Sequence, residues 1–233
     1  SVQIINMKKN KGHARCNAVG LKHISETEDF DYIIPMDGDG EDRPVELSLL
    51  IEKVKDHSNT VITADRVKRS EGFIFKFCYL AHKYLTFIFT GQIIKYGNYT
   101  CLPKSIVYKM VNEPATWSSF SGSLAKIAKD RKSIRSERGT RYFGPSKMSF
   151  INLLKHSLAI MAVFKETLLI RSVIFILFYG FATSDTFSIL ITTPLLLTMS
   201  MILSVYLIST RENMTEFDNS LNNIKNINDI KSK

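Results

Sequence analysis

The sequence predicts an α/β domain followed by a transmembrane helical hairpin. Three observations predict it. Up to about Leu102, short apolar runs alternate with helical stretches, as in a βα-type domain. Between Ser172 and Ile208 the only charge is Asp185, a length that suits two membrane crossings rather than one. The 233 residues give room for one domain of ordinary size plus an appendage, and not for two large domains.

Val2 to Ile5 reads as a strand and His13 to Ile24 as a helix. Tyr32 to Met36 reads as a second strand, followed at once by the acidic loop Asp37-Gly38-Asp39-Gly40-Glu41-Asp42, whose glycines permit a tight turn. Pro44 is suited to open the next helix, where Leu47, Leu50, Ile51 and Val54 fall on one face. Val61 to Ala64 is a third strand, leading into Asp65-Arg66-Val67-Lys68-Arg69. Phe73 to Thr90 is apolar but carries Lys76, His82 and Lys83, which favours a core or membrane-surface helix over a spanning one. A hairpin turn is expected near Thr183-Ser184-Asp185. The Asn-, Lys- and Asp-rich stretch after Glu212 reads as a loose amphipathic or disordered end.

The expected organisation is therefore a domain over 1–150, an amphipathic juxtamembrane helix over 151–167, two transmembrane helices over 168–209 and a polar tail over 210–233. Lys165 and Arg171 precede the hairpin and Arg211 follows it, so the positive-inside rule puts both ends in the cytoplasm of an inner (plasma) membrane, multi-pass protein. A formal charge of +9 favours anionic partners. Its excess is concentrated in Lys126 to Lys147, where Lys126, Lys129, Arg131, Lys132, Arg135 and Arg138 are expected to face anionic lipid headgroups. Cys16, Cys78 and Cys101 are odd in number and widely spaced, which excludes a disulfide framework, and no HxxxH or His-Cys pairing marks a zinc site among His13, His23, His57, His82 and His156. His156 reads as a packing residue. No cleavable signal peptide is visible at Ser1-Val2-Gln3.

The chemistry is expected at Asp37-Gly38-Asp39. Ligands of open α/β sheets gather at the carboxyl ends of strands, and two carboxylates there can hold a hard divalent cation, Mg2+ or Mn2+, that bridges a diphosphate. By spacing alone, a solvated acidic turn explains the same residues. An EF-hand is excluded, because its sixth and twelfth positions would be Asp42 and Ser48 where Gly and Glu are needed.

The order of the pieces carries more than any one of them. Asn10-Lys11-Gly12-His13-Ala14, then a strand and Asp37-Gly38-Asp39, then Ala64-Asp65-Arg66, then Arg141-Tyr142-Phe143-Gly144-Pro145-Ser146-Lys147-Met148 ahead of a hydrophobic hairpin, resembles family-2 glycosyltransferases of the dolichyl-phosphate mannose synthase type. The resemblance runs to about Arg171 and is poorest from Asn112 to Lys132. It implies a nucleotide-diphospho-sugar transferase (GT-A, Rossmann-like) domain, truncated because the family's first strand and Asp-Asp-Gly-Ser turn are not matched, so the fragment alone would be inactive. It implies metal and donor diphosphate at Asp37 and Asp39, and phosphate binding by Arg66, Arg69, Arg141, Ser146 and Lys147. It further implies a nucleotide-sugar donor, a polyprenyl phosphate acceptor and association of copies through the membrane segments. Glu113 is the one carboxylate in the region expected to supply a general base, and a phosphate acceptor, already an anion, would need none.

Two other classes compete with an inverting transferase. One is a catalytically inactive membrane scaffold that binds partner glycan enzymes. The other is nucleic-acid binding, disfavoured because the basic stretch abuts an apolar hairpin and contains no recognised module.

Overall fold

The computed structural model describes residues 2–68, 73–144, 149–185 and 188–230. In chain order its elements are β1 (Val2–Met7), α1 (His13–Thr27), β2 (Tyr32–Ile33), α2 (Leu47–Asp56), β3 (Val61–Lys68), α3 (Phe73–Thr90), β4 (Tyr96–Pro103), α4 (Lys104–Val111), α5 (Phe120–Ile127), β5 (Arg131–Glu137), α6 (Phe150–Ala162), α7 (Lys165–Ala182), α8 (Ile189–Ser209), α9 (Met214–Asp218) and β6 (Ile224–Ile230). The protein is α/β with a mixed sheet.

The main sheet runs β2-β4-β3-β5. β4 is antiparallel to both β2 and β3, and β5 is parallel to β3. Its centre is held by residues that alternate between two cores, as a period of two requires. Val61 and Leu102 join Val19, Leu21, Val107, Met110, Phe120 and Leu124 of α1, α4 and α5 on one face. Ile62, Ala64, Tyr99 and Cys101 meet Leu50 and Val54 of α2 on the other. The periodicity after Pro44 is thus realised by Leu50 and Val54, while Ile51 stays exposed, and Pro44 opens a 3-10 turn, Pro44–Glu46, that runs into α2. Covering the sheet on both faces removes its β-branched residues from water, the main source of stability for a domain of this size.

Two expectations change here. The first strand does not enter the main sheet. It pairs antiparallel with β6 in a separate two-stranded ribbon, Val2 opposite Ile230 and Asn6 opposite Asn226. The stretch after Glu212, expected to be loose or disordered, is folded and docked. Phe217 is fully buried and stacks on Trp117 with ring centroids 5.4 Å apart. Beside it Glu216 accepts hydrogen bonds from Lys11 Nζ at 2.8 Å and Trp117 Nε1 at 2.9 Å, and lies 3.1 Å from Arg15 Nη2. Composition pointed to disorder because it counts polar residues, whereas Phe217 and Glu216, with Met214, Leu221 and Ile224 packed on the same core, seat the segment.

α3, α6, α7 and α8 form a second body around Phe89, Met161, Ala162, Leu168 and Val205. Leu168, early in α7, and Val205, late in α8, share this core, so the two helices run antiparallel. Arg171 of α7 donates to the carbonyls of Phe87 at 3.2 Å and Ile88 at 2.9 Å, satisfying the end of α3, and Gly91 with φ +74° leaves room for the guanidinium. The segment Ile189–Asp218, with α8 as its body, is long and apolar enough to cross a membrane, and only 11% of its apolar window is buried within the protein. Leu190, Leu196, Leu197, Leu203 and Leu207 all face outward. His156, read as a packing residue, keeps an exposed surface on α6, while the protein around it desolvates the imidazole and holds its pKa below the ordinary value.

Replacing Phe217 by Ala removes a fully buried ring. The expected loss is about 3–5 kcal/mol of stability, read as a lowered unfolding midpoint of the full-length protein in detergent, with the β1–β6 amides exchanging faster.

Candidate functional site: a charge-compensated acidic loop

β2 is short, and the chain leaves it through Ile34 and Pro35 into the acidic loop. The mutual repulsion of its carboxylates is offset by four cations that reach the loop from other parts of the chain. Asp37 Oδ1 lies 3.0 Å from His13 Nε2 at the first position of α1. A carboxylate can only accept, so that nitrogen carries the proton. Asn98 Nδ2 of β4 approaches the same oxygen at 3.4 Å. The hydrogen bond to His13 holds the Asp37 carboxyl below the usual carboxylate range. The same bond holds the His13 imidazole above its ordinary value.

Asp42 is turned inward and accepts from the Asp37 backbone N–H at 3.0 Å. Burial pushes its carboxyl up, against the pull of Arg66, whose Nη2 lies 3.6 Å from Oδ1. Arg66 runs along Gly97, where a Cβ would come within 2.9 Å of its Nη2, so the glycine makes room for the guanidinium.

The remaining two carboxylates are clasped by the loop after β5. Arg141 lies 3.1 Å from Asp39 Oδ2 through Nη2 and donates to Glu41 Oε1 at 3.0 Å through Nε. Arg138 pairs with the other oxygen of Glu41. Backbone bonds close the clasp: Gly139 N–H to Glu41 O and Tyr142 N–H to Asp39 O, both 2.9 Å. Gly139 has to be glycine here, since a Cβ would sit 2.3 Å from the Gly40 carbonyl oxygen. Gly40 itself takes φ +91°, a conformation that strongly favours glycine.

Asp37, Asp39, Arg66 and Arg141 are therefore brought together by three different strand ends. Arg69, Ser146 and Lys147 lie outside the described residues. Glu113 is not among the residues that meet at the loop: its carboxylate accepts from Ala115 N–H at the start of the 3-10 turn Pro114–Trp117 and pairs with Lys126 at 2.9 Å. His13, Asn98, Glu41 and Asp42 carry no assigned role in the sequence, and Arg138, expected to face lipid headgroups, pairs with Glu41. Glu41 and Asp42 were legible as loop carboxylates, but the rest depends on which chain segments fold against the loop.

Among the described residues no group of three or more His, Cys, Asp or Glu side chains is arranged to hold a metal ion. Mg2+ needs fewer, since it commonly takes one or two carboxylates and keeps waters and phosphate oxygens. Asp37 Oδ2 takes no hydrogen bond among the described residues, whereas Asp39 accepts from the Glu41 N–H through Oδ1 at 3.0 Å and would have to release Arg141 from Oδ2 to hold an ion. The donor set suits a hard divalent cation on that condition.

No protein-family model matches the chain, and no curated protein matches it.

Two outcomes are expected. His13 should titrate above 6.5 by NMR and return toward that value in Asp37→Asn. The pair's contribution to stability is present between the two shifted values: it fades as pH rises through the raised His13 pKa, and again as pH falls through the lowered Asp37 pKa. Gly139→Ala should open the clasp without unfolding the sheet, exposing the loop to proteolysis while the unfolding midpoint moves little.

Proposed function

We propose that the chain is a membrane-anchored glycosyltransferase similar to family 2 of the dolichyl-phosphate mannose synthase type, built on a truncated GT-A, Rossmann-like domain. It would move a sugar, with inversion, from a nucleotide diphosphate to a membrane polyprenyl phosphate in cell-envelope glycan synthesis. The observation that carries the reading is the acidic loop after β2, met by Arg66 from the end of β3 and Arg141 from beyond β5. A helix of membrane-crossing length in the same chain supports a lipid acceptor.

A bound Mg2+ or Mn2+ would neutralise charge building on the departing nucleoside diphosphate. Asp37 and Asp39 are the residues to hold it. Arg141, released from Asp39, is then free to turn its planar guanidinium to phosphate oxygens, which it suits as well as carboxylates. Arg66, half-buried against Gly97, holds positive charge at the rim while keeping Asp42 paired. By resemblance Arg69, Ser146 and Lys147 add phosphate contacts. With Glu113 committed to its turn, an acceptor that is already an anion fits the site best, since it needs no base.

For the membrane part, α7 exposes Leu169, Ile170, Val173, Ile174, Leu177 and Phe178, an apolar surface that water does not favour. Packed antiparallel on α8, it would complete a two-helix anchor with the domain and the tail on the cytoplasmic side, as Lys165, Arg171 and Arg211 indicate.

One observation favours a second reading. Every carboxylate of the loop already has a protein cation, as expected of a catalytically inactive scaffold that binds partner glycan enzymes. Calorimetry on detergent-solubilised protein separates the two, since the scaffold takes up no nucleotide sugar with Mg2+ or Mn2+. In membranes supplied with a nucleotide sugar, polyprenyl phosphate and Mn2+, the transferase releases nucleoside diphosphate only when the lipid phosphate is present. Asp39→Asn should slow that release by about a hundredfold or more. Unchanged release would remove Asp39 from the chemistry.

A further inference from the structure

A second concave site lies at the far end of β5 from the acidic loop. β5 ends at Glu137, next to the Arg138–Arg141 clasp, and starts at Arg131, which stands opposite Val61 at the start of β3. There Gln92, Ala125, Lys126, Lys129, Arg131 and Phe164 bound a pocket of about 310 Å³. Four parts of the chain build it: the connection after α3, the last turn of α5, the start of β5 and the joint between α6 and α7.

Its charge is one-sided. Arg131 is fastened in place, donating to the carbonyls of Ala125 and Ala128 at the end of α5 and lying 5.5 Å from the Tyr96 ring centroid. Lys126 shares its charge with Glu113 at 2.9 Å. Lys129 is exposed, with no ion-pair partner among the described residues. Three cations line the pocket, offset in part by Glu113 on Lys126 and by Glu212, which lies within the field of Lys126 while pairing with Lys165; with the amide of Gln92 beside them they make a seat for an anionic oxygen group. Phe164 contributes an apolar wall, which an inorganic ion would not use.

The position selects the source of that anion. Phe164 immediately precedes α7, and the next residue, Lys165, lies 3.7 Å from Glu212, just beyond α8. The pocket thus sits at the level where the outward-facing apolar helices begin and end, which is headgroup depth for a helix that crosses a bilayer.

We propose that this pocket binds the phosphate headgroup of an anionic membrane lipid, with Lys126, Lys129 and Arg131 on the phosphate and Phe164 against the glycerol or first acyl carbons. The assignment goes beyond the transferase reading and does not need it, because it concerns binding at a place the acidic loop does not reach.

The test uses the full chain in a neutral detergent, titrated separately with dihexanoyl phosphatidic acid, dihexanoyl phosphatidylcholine and inorganic phosphate. Phosphatidic acid should bind and raise the unfolding midpoint, with the other two weaker by tenfold or more. Lys129→Gln alone should weaken phosphatidic acid about fivefold, and Lys126→Gln with Lys129→Gln about thirtyfold, each lysine near an anionic headgroup counting for about a factor of five. Lys53→Gln with Lys55→Gln on α2 removes the same charge and should change nothing. Equal binding of inorganic phosphate, unchanged affinity in the double variant, or an equal loss in the α2 control would each overturn the proposal.

Discussion

Four carboxylates crowded into Asp37, Asp39, Glu41 and Asp42 repel one another, and the loop keeps its shape only because protein cations arrive from outside it. His13 comes from the start of α1, Arg66 from the end of β3, and Arg138 with Arg141 from beyond β5. Each is delivered by an element whose place depends on sheet packing, so the charge balance is a product of the whole domain. The exchange is mutual: the acidic loop also anchors the segment after β5, through Gly139 and Tyr142, in a path that would otherwise lack backbone partners.

The compensation has a chemical side. Asp37 and Asp39 are not equivalent in this arrangement. Asp37 is held by one imidazole and a distant amide and keeps an oxygen outside any hydrogen bond among the described residues. Asp39 is engaged by Arg141, which also grips Glu41.

Much of the domain was legible in the sequence where local rules apply. The helix from His13, the turn opening at Pro44, the apolar face through Leu50 and Val54 and the strand from Val61 all follow from periodicity and backbone preference. The acidic loop was legible as a crowded set of carboxylates because its composition is extreme over six residues. Illegible were the facts that depend on long-range pairing: that β1 would leave the main sheet for β6, that β4 would separate β2 from β3, and that Glu113 would cap a turn. His13 and Asn98 carry no pattern of their own. Only folding puts both beside Asp37. The tail was misread because average polarity says nothing of a single Phe217 aimed at Trp117.

The pairing of Val2 with Ile230 has a consequence for how such a chain is made. During synthesis the first strand leaves the ribosome long before its partner exists, and the apolar helices α7 and α8 emerge in between. The ribbon can close only after α7, α8 and the residues through Ile230 have left the ribosome. Closure of the ribbon is therefore a late event, with β1 waiting for β6. A nascent chain stalled before Ile224 would carry a lone strand edge, ready to pair with whatever neighbour it meets.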